Sequence, residues 1–337
     1  MTTPKVYACY NENENKRLAS SSGAIFSSLA EFVLEKQGCV YGVKMSDDCY
    51  SAEFTRVTEI SELSSLRGSK YLQAKVGNTF KAVKDDLLAG RNVLFSGTGC
   101  QVNGLKSFLG KEYDNLICVD VICHGVPSPA LWKKYAEYRE KQNGGKLKHI
   151  NFRSKDVGWI DFGMKEALGD KSQGDTKQLY VSKDKDPYMQ MFLRDYCLRP
   201  SCYECVAKKV KKADLTIADF WGINNVAPEM NDGKGTSLVL IRTEKGNRIF
   251  ENISNELKIK EVTYEDGVKC NPAEFKSCDR PAQRDTFFGD MNAMEFADLE
   301  KKYASPIKIS FFTRVKRKVK RIVKSAFNKN RGGHAQA

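Results

Sequence analysis

The spacing of apolar residues predicts alternating helices and strands along this chain. Between residues 20 and 38, apolar side chains recur at helical intervals after a run of serines, which predicts a serine-capped helix that ends at Gly38. The segments CVYGVKM and AEFTRVT, at residues 39–45 and 52–58, have the composition of two short strands.

The order of elements is clearest between residues 79 and 142. The pattern predicts a helix at 79–89 and a buried strand at 92–96. A short helix follows the glycine-rich turn GTGCQVNG. A second buried strand at 116–123 and a helix at 130–142 come next. Strand–helix–strand order implies adjacent parallel strands with a right-handed crossover. We therefore predict a mixed α/β fold with a parallel βαβα core and a smaller N-terminal α/β part.

The second half of the chain predicts shorter elements. They are short strands with turns at residues 143–180, a helix at 187–196, and two further strands at 214–220 and 237–242. We divide the chain into an N-terminal domain (residues 1–85), a domain that carries the cysteines (86–300) and a basic tail (304–337).

Charge is concentrated in the tail. The 337 residues carry a net charge of +13, but residues 305–331 hold ten Lys or Arg and no acid, which leaves +3 for the rest. After Pro306, apolar residues recur at helical intervals opposite the basic ones, which predicts an amphipathic helix. We expect residues 306–331 to lie on an anionic membrane surface, with docking on a partner protein or a solvated tail as alternatives, and we expect no nucleic-acid binding.

Composition indicates a cytoplasmic protein, peripheral on the inner face of the membrane if the tail binds lipid. Apolar residues make up 41% of the chain and charged residues 29%, which is ordinary for a globular protein. No run of about 18 apolar residues predicts a transmembrane helix, and the N-terminal sequence has no secretory signal.

Eleven cysteines in a reducing compartment point to metal or redox chemistry rather than to disulfides. Six stand alone in the sequence and are expected to be small core residues. These six are Cys9, Cys39, Cys49, Cys118, Cys270 and Cys278.

A cysteine run in LRPSCYECV leaves several kinds of site open. Its spacing, Cys197-x4-Cys202-x2-Cys205, is compatible with zinc, a redox pair, a disulfide or an iron–sulfur cluster. A cluster needs four thiolates, and Cys197, Cys100 and Cys123 are candidates to complete the set. Cys100 and Cys123 follow the two predicted parallel strands, whose ends would lie only about 5 Å apart.

Longer motifs carry a resemblance to a known family. The segments SSSGAIF, GSKYLQ, VLFSGTGCQVNGLKSFL, NLICVDVICHGVPSPALW, LRPSCYEC and DLTIADFWG run from about residue 7 to about residue 245. In this order they resemble the coenzyme F420 hydrogenase/dehydrogenase beta-subunit family. The chain differs in having Gly99 where the family usually has proline, and Ala24 where it usually has a second glycine. Many relatives carry an N-terminal two-cluster ferredoxin segment, whereas this sequence has only Cys9 there.

The resemblance implies a flavoprotein with FAD and a [4Fe-4S] cluster. The family's cysteines correspond to Cys100, Cys123, Cys202 and Cys205, and Cys197 becomes an alternative ligand or a neighbour. Without its own ferredoxin segment, the chain would need an external ferredoxin or redox partner subunit.

The same resemblance suggests residues that contact the FAD or the substrate. A diphosphate suits the N–H groups at a helix N-terminus, and the flavin suits cations and aromatic rings; without the resemblance, the same residues would be an ordinary helix cap, turn or surface side chain. The proposed cofactor-binding residues are Ser21, Ser22, Gly23, Lys70, Gly97, Thr98, Arg153 and Trp221. The proposed catalytic residues are His124, as a proton donor, and Asp219, as an acid or an orienting group.

We therefore expect an oxidoreductase that moves electrons between ferredoxin, or a deazaflavin, and a small or lipid-linked substrate. Since relatives occur in bacterial polysaccharide loci, the resemblance suggests a role in polysaccharide synthesis. Two alternatives are an electron-transfer subunit without its own substrate and a zinc-stabilised protein without catalytic activity.

Overall fold

The structure is a computed structural model that describes residues 3–169 and 176–304. Its strands in chain order are β1 (Lys5–Asn11), β2 (Cys39–Met45), β3 (Ala52–Val57), β4 (Ala74–Lys75), β5 (Val93–Thr98), β6 (Leu116–Val121), β7 (Lys146–Ser154), β8 (Gly163–Gly169), β9 (Thr176–Ser182), β10 (Leu215–Asp219), β11 (Ser237–Ile241) and β12 (Leu257–Val262). Its α-helices are α1 (Glu14–Leu18), α2 (Ile25–Glu35), α3 (Thr79–Leu88), α4 (Gly99–Leu109), α5 (Pro129–Asn143), α6 (Pro187–Leu193), α7 (Ile223–Val226), α8 (Glu244–Ile253), α9 (Tyr264–Val268), α10 (Arg284–Ala293) and α11 (Phe296–Tyr303).

Nine strands form one mixed sheet in the order β12-β1-β11-β10-β6-β5-β2-β3-β4. The central strands β2, β5, β6 and β10 pair in parallel. Helix α4 connects β5 to β6, which confirms the predicted α/β fold and its βαβα core. Strands from both sides of residue 85 share this sheet, and the predicted boundary at 85/86 falls inside α3; the division into domains remains a prediction.

Alternating side chains of the central strands supply a core on each face of the sheet. On one face, Leu94 packs in a cluster with residues of α2 and α8, such as Leu29 and Phe250. On the other face, Phe95 packs with residues of α3 and α4, such as Leu105. Each of these large apolar side chains contributes roughly 1.5–3 kcal/mol through burial.

Helix α2 differs from its prediction at both ends. It begins at Ile25 rather than at the serines, because Ala24 has a left-handed conformation with a φ of 71°. Its last turn is closed by Gln37 at a φ of 57°, and the N–H of Gly38 bonds to the carbonyl of Val33 at 3.0 Å. This is a Schellman motif in which glutamine, not the predicted glycine, takes the left-handed position.

A second, three-stranded sheet of β7, β8 and β9 packs with helices α5, α6, α10 and α11. Its core is rich in fully buried aromatic side chains, among them Trp132, Tyr135, Phe152, Tyr188 and Phe287. Edge-to-face and tilted ring contacts join these residues, as in the pair Trp132–Tyr188 at 5.1 Å between centroids.

One buried polar network crosses this aromatic core. The Tyr135 hydroxyl lies 2.6 Å from a carboxylate oxygen of Glu166 and 2.6 Å from one of Asp186. Arg139 forms an ion pair with Glu166 at 2.9 Å, whereas Asp186 accepts a bond from the Met189 N–H at the start of α6. Burial raises the pKa of Asp186 to about 6.

The predicted tail, residues 304–337, lies outside the described residues except for Ala304. Among the helices that the structure does describe, none is long and apolar enough to cross a membrane.

Candidate functional site

The ends of two neighbouring strands bring the first pair of predicted cysteines to one edge of the sheet. β5 and β6 pair in parallel up to Thr98 and Val121. Cys100 lies in the first turn of α4, directly after β5, and Cys123 lies two residues beyond β6. The Cys100 thiol is exposed, and its Sγ is 3.1 Å from the hydroxyl of Thr98.

The second pair comes from the loop after α6, which is held against the loop after β6. The Val126 N–H donates to the Cys202 sulfur at 3.5 Å, and the Arg199 N–H donates to the Val126 carbonyl at 3.0 Å. The Cys205 N–H bonds to the Ser277 hydroxyl at 2.9 Å. These contacts place Cys202 and Cys205 beside the segment that carries Cys123.

The four thiols interact electrostatically. Burial first, and then the neighbouring Cys100, Cys202 and Cys205, raise the pKa of Cys123 to about 12, whereas the charge of Lys208 opposes this shift. We call Cys100, Cys123, Cys202 and Cys205 the thiol cluster.

The spacing of these thiols does not match a site for a single metal ion. Within residues 3–169 and 176–304, no group of three or more His, Cys, Asp or Glu converges closely enough to hold one ion. The zinc alternative therefore gains no support from this geometry. A four-iron cluster spreads its thiolates around a larger inorganic core, so this criterion does not apply to it.

Cys197 lies apart from the thiol cluster. Its side chain is fully buried in the aromatic core, and burial raises its pKa to about 12. Its charged neighbours are Asp195 and Arg284 rather than other thiols. Whether Cys197 is an alternative ligand or a neighbour remains a prediction.

Two of the six isolated cysteines are not core residues, which corrects the sequence prediction. Cys270 is exposed beside Gly222, where an added Cβ would lie 2.6 Å from its sulfur. Cys278 is half-buried, and its Sγ lies 3.8 Å from the carbonyl oxygen of Cys202. Burial, followed by the charges of Asp195 and Cys202, raises the pKa of Cys278 to about 11. No spacing in the sequence connects Cys278 to Cys202, since only the fold brings them together.

His124 is held by a carboxylate at the rim of the thiol cluster. Its Nε2 lies 2.5 Å from Asp195 Oδ1, and its ring meets the edge of Phe192. Asp195 has a left-handed backbone with a φ of 63°, and its carbonyl accepts a bond from the Tyr203 hydroxyl. The imidazole is therefore oriented by a strained residue that the sequence did not single out.

A buried ion pair lies at the end of β10. Both guanidinium Nη atoms of Arg153, a residue only 5% exposed, bond to the Asp219 carboxylate. The indole N–H of Trp159 donates to Asp219 Oδ1 at 2.7 Å, and its ring stacks on Trp221 at 5.3 Å. Since its carboxylate is engaged by three donors, Asp219 is better placed to orient neighbours than to exchange protons.

Lys70 is close to the predicted serine segment. The Ser69 N–H donates to the Ser21 hydroxyl at 3.0 Å, so the GSK and SSSG segments touch. The Lys70 ammonium bonds to the carbonyls of Ser65 and Arg67, at 3.1 and 2.8 Å. Burial lowers the pKa of Lys70 to about 7. No carboxylate among the described residues pairs with this amine.

Ser22 and Gly23 use their polar groups within the protein. The Ser22 hydroxyl donates to the Thr236 carbonyl and the Gly23 N–H donates to the Ser237 hydroxyl, each at 2.9 Å. A Cβ on Gly23 would lie 2.5 Å from the Cys9 carbonyl oxygen, so the glycine is required for close packing on β1. These contacts leave Ser22 Oγ and the Gly23 N–H unavailable as the predicted phosphate donors.

Lys155 was missed by the sequence analysis, although it follows Arg153 by two residues. Its ammonium donates to the carbonyls of Arg17, Ser22 and Lys234 at 2.8–2.9 Å. Burial lowers the pKa of Lys155 to about 7. The only available signal was a second basic residue in the same short motif, NFRSK.

Gly97 and Thr98 are the last two residues of β5, directly before α4. The Thr98 N–H bonds to the side chain of Gln101 at 2.8 Å, which closes a capping box. The next residue, Gly99, is the first of α4, a position that accepts proline in general. Here a Cβ at Gly99 would lie 3.0 Å from an Asp120 carboxylate oxygen, which explains why a small residue suits this chain.

Comparison with known proteins identifies the family. The family model for the coenzyme F420 hydrogenase/dehydrogenase beta subunit, C terminus, matches residues 90–266, about half of the chain. The chain belongs to this family. The matched region contains the thiol cluster and the Arg153–Asp219 pair. Membership in the beta-subunit family confirms the redox class of protein that the motifs indicated.

The fold is also found in a solved structure. A chain of the F420-reducing [NiFe] hydrogenase complex from Methanosarcina barkeri superposes with a TM-score of 0.52, at 14% identity, over 81% of this chain and 87% of that chain. This likeness concerns the fold. No match was found among curated proteins.

Proposed function

We propose that this beta-subunit-family protein is an iron–sulfur flavoprotein oxidoreductase that binds FAD and a [4Fe-4S] cluster. It would exchange electrons with an external ferredoxin, or a deazaflavin, and a small or lipid-linked substrate. The observation that carries the proposal is the meeting of four cysteines from three distant segments at one edge of the sheet. A structural role alone gives no reason for four free thiols to gather there.

The donor set of the thiol cluster suits iron–sulfur ligation. All four proposed ligands are thiols, as such clusters require. Two positively polarised groups lie beside them: the Val126 N–H faces the Cys202 sulfur, and the Lys208 ammonium bonds to the Cys123 carbonyl. Donors of this kind stabilise thiolate charge and tune reduction potential.

Unsatisfied donors suit a bound FAD. In the part of the chain that the structure describes, the buried Nε of Arg153 has no hydrogen-bond partner, and Lys70 has no carboxylate partner. Trp221 adds an aromatic face beside Arg153, and Ser21 adds a hydroxyl near Lys70. A diphosphate or flavin carbonyl would satisfy these groups.

A bound flavin supplies the exchange between hydride transfer and single-electron transfer, and an iron–sulfur cluster supplies single electrons. The chain's own residues orient and protonate. Asp219 fixes Arg153 and the Trp159 indole. His124, held at Nε2 by Asp195, presents its other ring nitrogen as a proton donor or acceptor for substrate.

Anaerobic purification tests the proposal. We expect about four irons per chain and flavin absorption bands in the intact protein. Cys100→Ala and Cys123→Ala should lose the iron, whereas Cys197→Ala should keep it as a matched control. One zinc per chain with no flavin, or full iron content in the first two variants, would refute the assignment.

The second candidate function is an electron-transfer subunit that acts on no substrate of its own. It is favoured by the solved relative, which is part of a multi-subunit hydrogenase complex. Substrate turnover by the isolated chain with reduced ferredoxin would favour the first function. Turnover only after a partner subunit is added would favour the second. We propose a cytoplasmic location for either, and the roles in polysaccharide synthesis and membrane binding remain predictions.

A further inference from the structure

The basic run KKVKK, residues 208–212, has two lysines that point inward. Lys208 donates to the carbonyls of Cys123 and Ala273. Lys211 donates to the carbonyl of Glu274 at 2.6 Å and pairs with its buried carboxylate at 3.2 Å. These bonds anchor the run between the β6 loop and residues 273–274, so its backbone is fixed.

The other two lysines of the run point outward. Lys209 and Lys212 are both exposed, and the Lys212 ammonium bonds to the Ser107 hydroxyl at 3.2 Å. Within the described ranges neither forms an ion pair. Lys209 therefore has no charged partner in direct contact among the described residues, and Lys212 acts on a carboxylate, that of Glu112, only at longer range.

Exposed apolar side chains accompany the outward lysines. Val206 is 68% exposed, more than any other large apolar residue of the described chain, and Phe275 is 55% exposed. The bond between the Cys205 N–H and Ser277 places their two segments side by side. Val210 is exposed on the same run. Exposed apolar side chains grouped beside unpaired charges are typical of interaction surfaces.

We propose that this surface is the docking site for an acidic, iron–sulfur electron-carrier protein of the ferredoxin type. The docking surface consists of Val206, Lys209, Val210, Lys212 and Phe275. The inference rests on the proposed function, because it supplies electrons to the thiol cluster.

Two features of the docking surface select this occupant. Val206 directly follows the cluster ligand Cys205, so a carrier seated there would bring its own redox centre close to the thiols. Positive charge around a small apolar patch complements an acidic protein, and electron-transfer contacts are small and steered by charge. The run is also held rigidly by its inward lysines, which suits a preformed contact better than insertion into lipid.

Stopped-flow reduction of the full-length holoprotein by a reduced, acidic two-cluster ferredoxin tests the proposal. The double reversal Lys209→Glu, Lys212→Glu should lower the second-order rate constant about tenfold or more at low ionic strength. The difference should shrink in high salt, because exposed charges are screened beyond about 10 Å at 0.1 M. Val206→Ser should lower the rate severalfold at every salt concentration.

The matched control reverses two exposed lysines elsewhere, Lys141→Glu and Lys148→Glu, and so changes the net charge equally. Lys141 lies about 18 Å along α5 from Pro129, the first residue of that helix. This variant should keep the wild-type rate. Iron content and dithionite reduction are measured for every protein, so loss of the cluster is separated from loss of docking.

Three outcomes are decisive. Protein without iron in the wild type means that the proposed function has failed. Intact iron with equal rates in the two double variants overturns the docking surface and leaves the proposed function standing. Loss of binding to anionic vesicles by the Lys209/Lys212 variant, with an unchanged ferredoxin rate, also overturns it, since the surface would then bind lipid.

Discussion

Replacing Asp186 by Asn should stabilise the protein at neutral pH and change little near pH 4. The Tyr135 hydroxyl has one proton for two carboxylates, each 2.6 Å away. Arg139 forms its ion pair with Glu166, which leaves the buried Asp186 without an ion pair of its own among the described residues. An amide at this position can donate to Tyr135 while its oxygen still accepts from the Met189 N–H.

The magnitude follows from the pKa of Asp186. Burial raises this pKa from 3.8 to about 6, and each unit corresponds to 1.36 kcal/mol, so the upper bound is about 3 kcal/mol. Below about pH 3.8 the folded and unfolded chains both hold the proton. As the pH rises towards 6, the unfolded chain releases its proton first, and the stability that this group contributes is lost. The variant lacks this loss, so its advantage should grow across this window and level off above it.

The assay is urea unfolding followed by circular dichroism, at several pH values between 4 and 8, for the wild type and the variant. The exposed residue Asp114 supplies the control substitution Asp114→Asn, which should show no such difference. Glu166→Gln should have the opposite sign at neutral pH, because the half-buried Arg139 would lose its carboxylate partner; the cost should lie below the roughly 3–5 kcal/mol of breaking a fully buried pair.

Two results would refute this reasoning. If the Asp186→Asn protein were less stable than the wild type at pH 7.5, the carboxylate would have to be stabilised as an anion. If its stability difference were the same at pH 4 and pH 7.5, the proton would not be held by Asp186.

Three further changes test other features. Arg153→Gln should weaken FAD binding, measured by flavin fluorescence, and destabilise the chain by about 3–5 kcal/mol, because the buried Asp219 carboxylate loses its cation; unchanged flavin affinity would contradict the assignment. Gly23→Ala should lower the melting temperature, since overpacking costs about 1–3 kcal/mol. Gly289→Ala is the control: in this helix an added Cβ meets nothing within 4 Å, so the melting temperature should rise or stay unchanged. Truncation after Ala304 should abolish sedimentation with anionic vesicles at low salt; retained binding would locate the lipid contact elsewhere.

The parallel core was predictable because its strands are continuous apolar runs separated by helical periods. The alternating strand β12, LKIKEV, and the N-terminal strand β1 were not assigned from the sequence. Both depend on partners far along the chain: Val6 pairs with Leu240 on one side and Val262 on the other. A short amphipathic stretch such as β12 carries too weak a local signal without those partners.

The candidate site was predictable where a residue directly follows a strand. Cys100 and Cys123 were placed from topology, and the fold brings them towards one edge as expected. Residues such as Lys155 and Cys278 were not reachable, since their contacts come from carbonyls and loops far away in sequence. The predicted start of α2 at the serines was wrong for a different reason: Ala24 adopts a left-handed backbone, which local propensity disfavours, and so moves the start of the helix to Ile25.

The position of β1 affects how this protein folds during translation. Residues 5–11 are synthesised well before their strand partners: within the described residues they pair with β11 and β12, which end at Ile241 and Val262. At about 5–20 residues per second, roughly 10–50 s separate the synthesis of β1 from that of its first partner. During that interval β1 is an unpaired strand, a candidate for chaperone binding and for mispairing with other nascent chains.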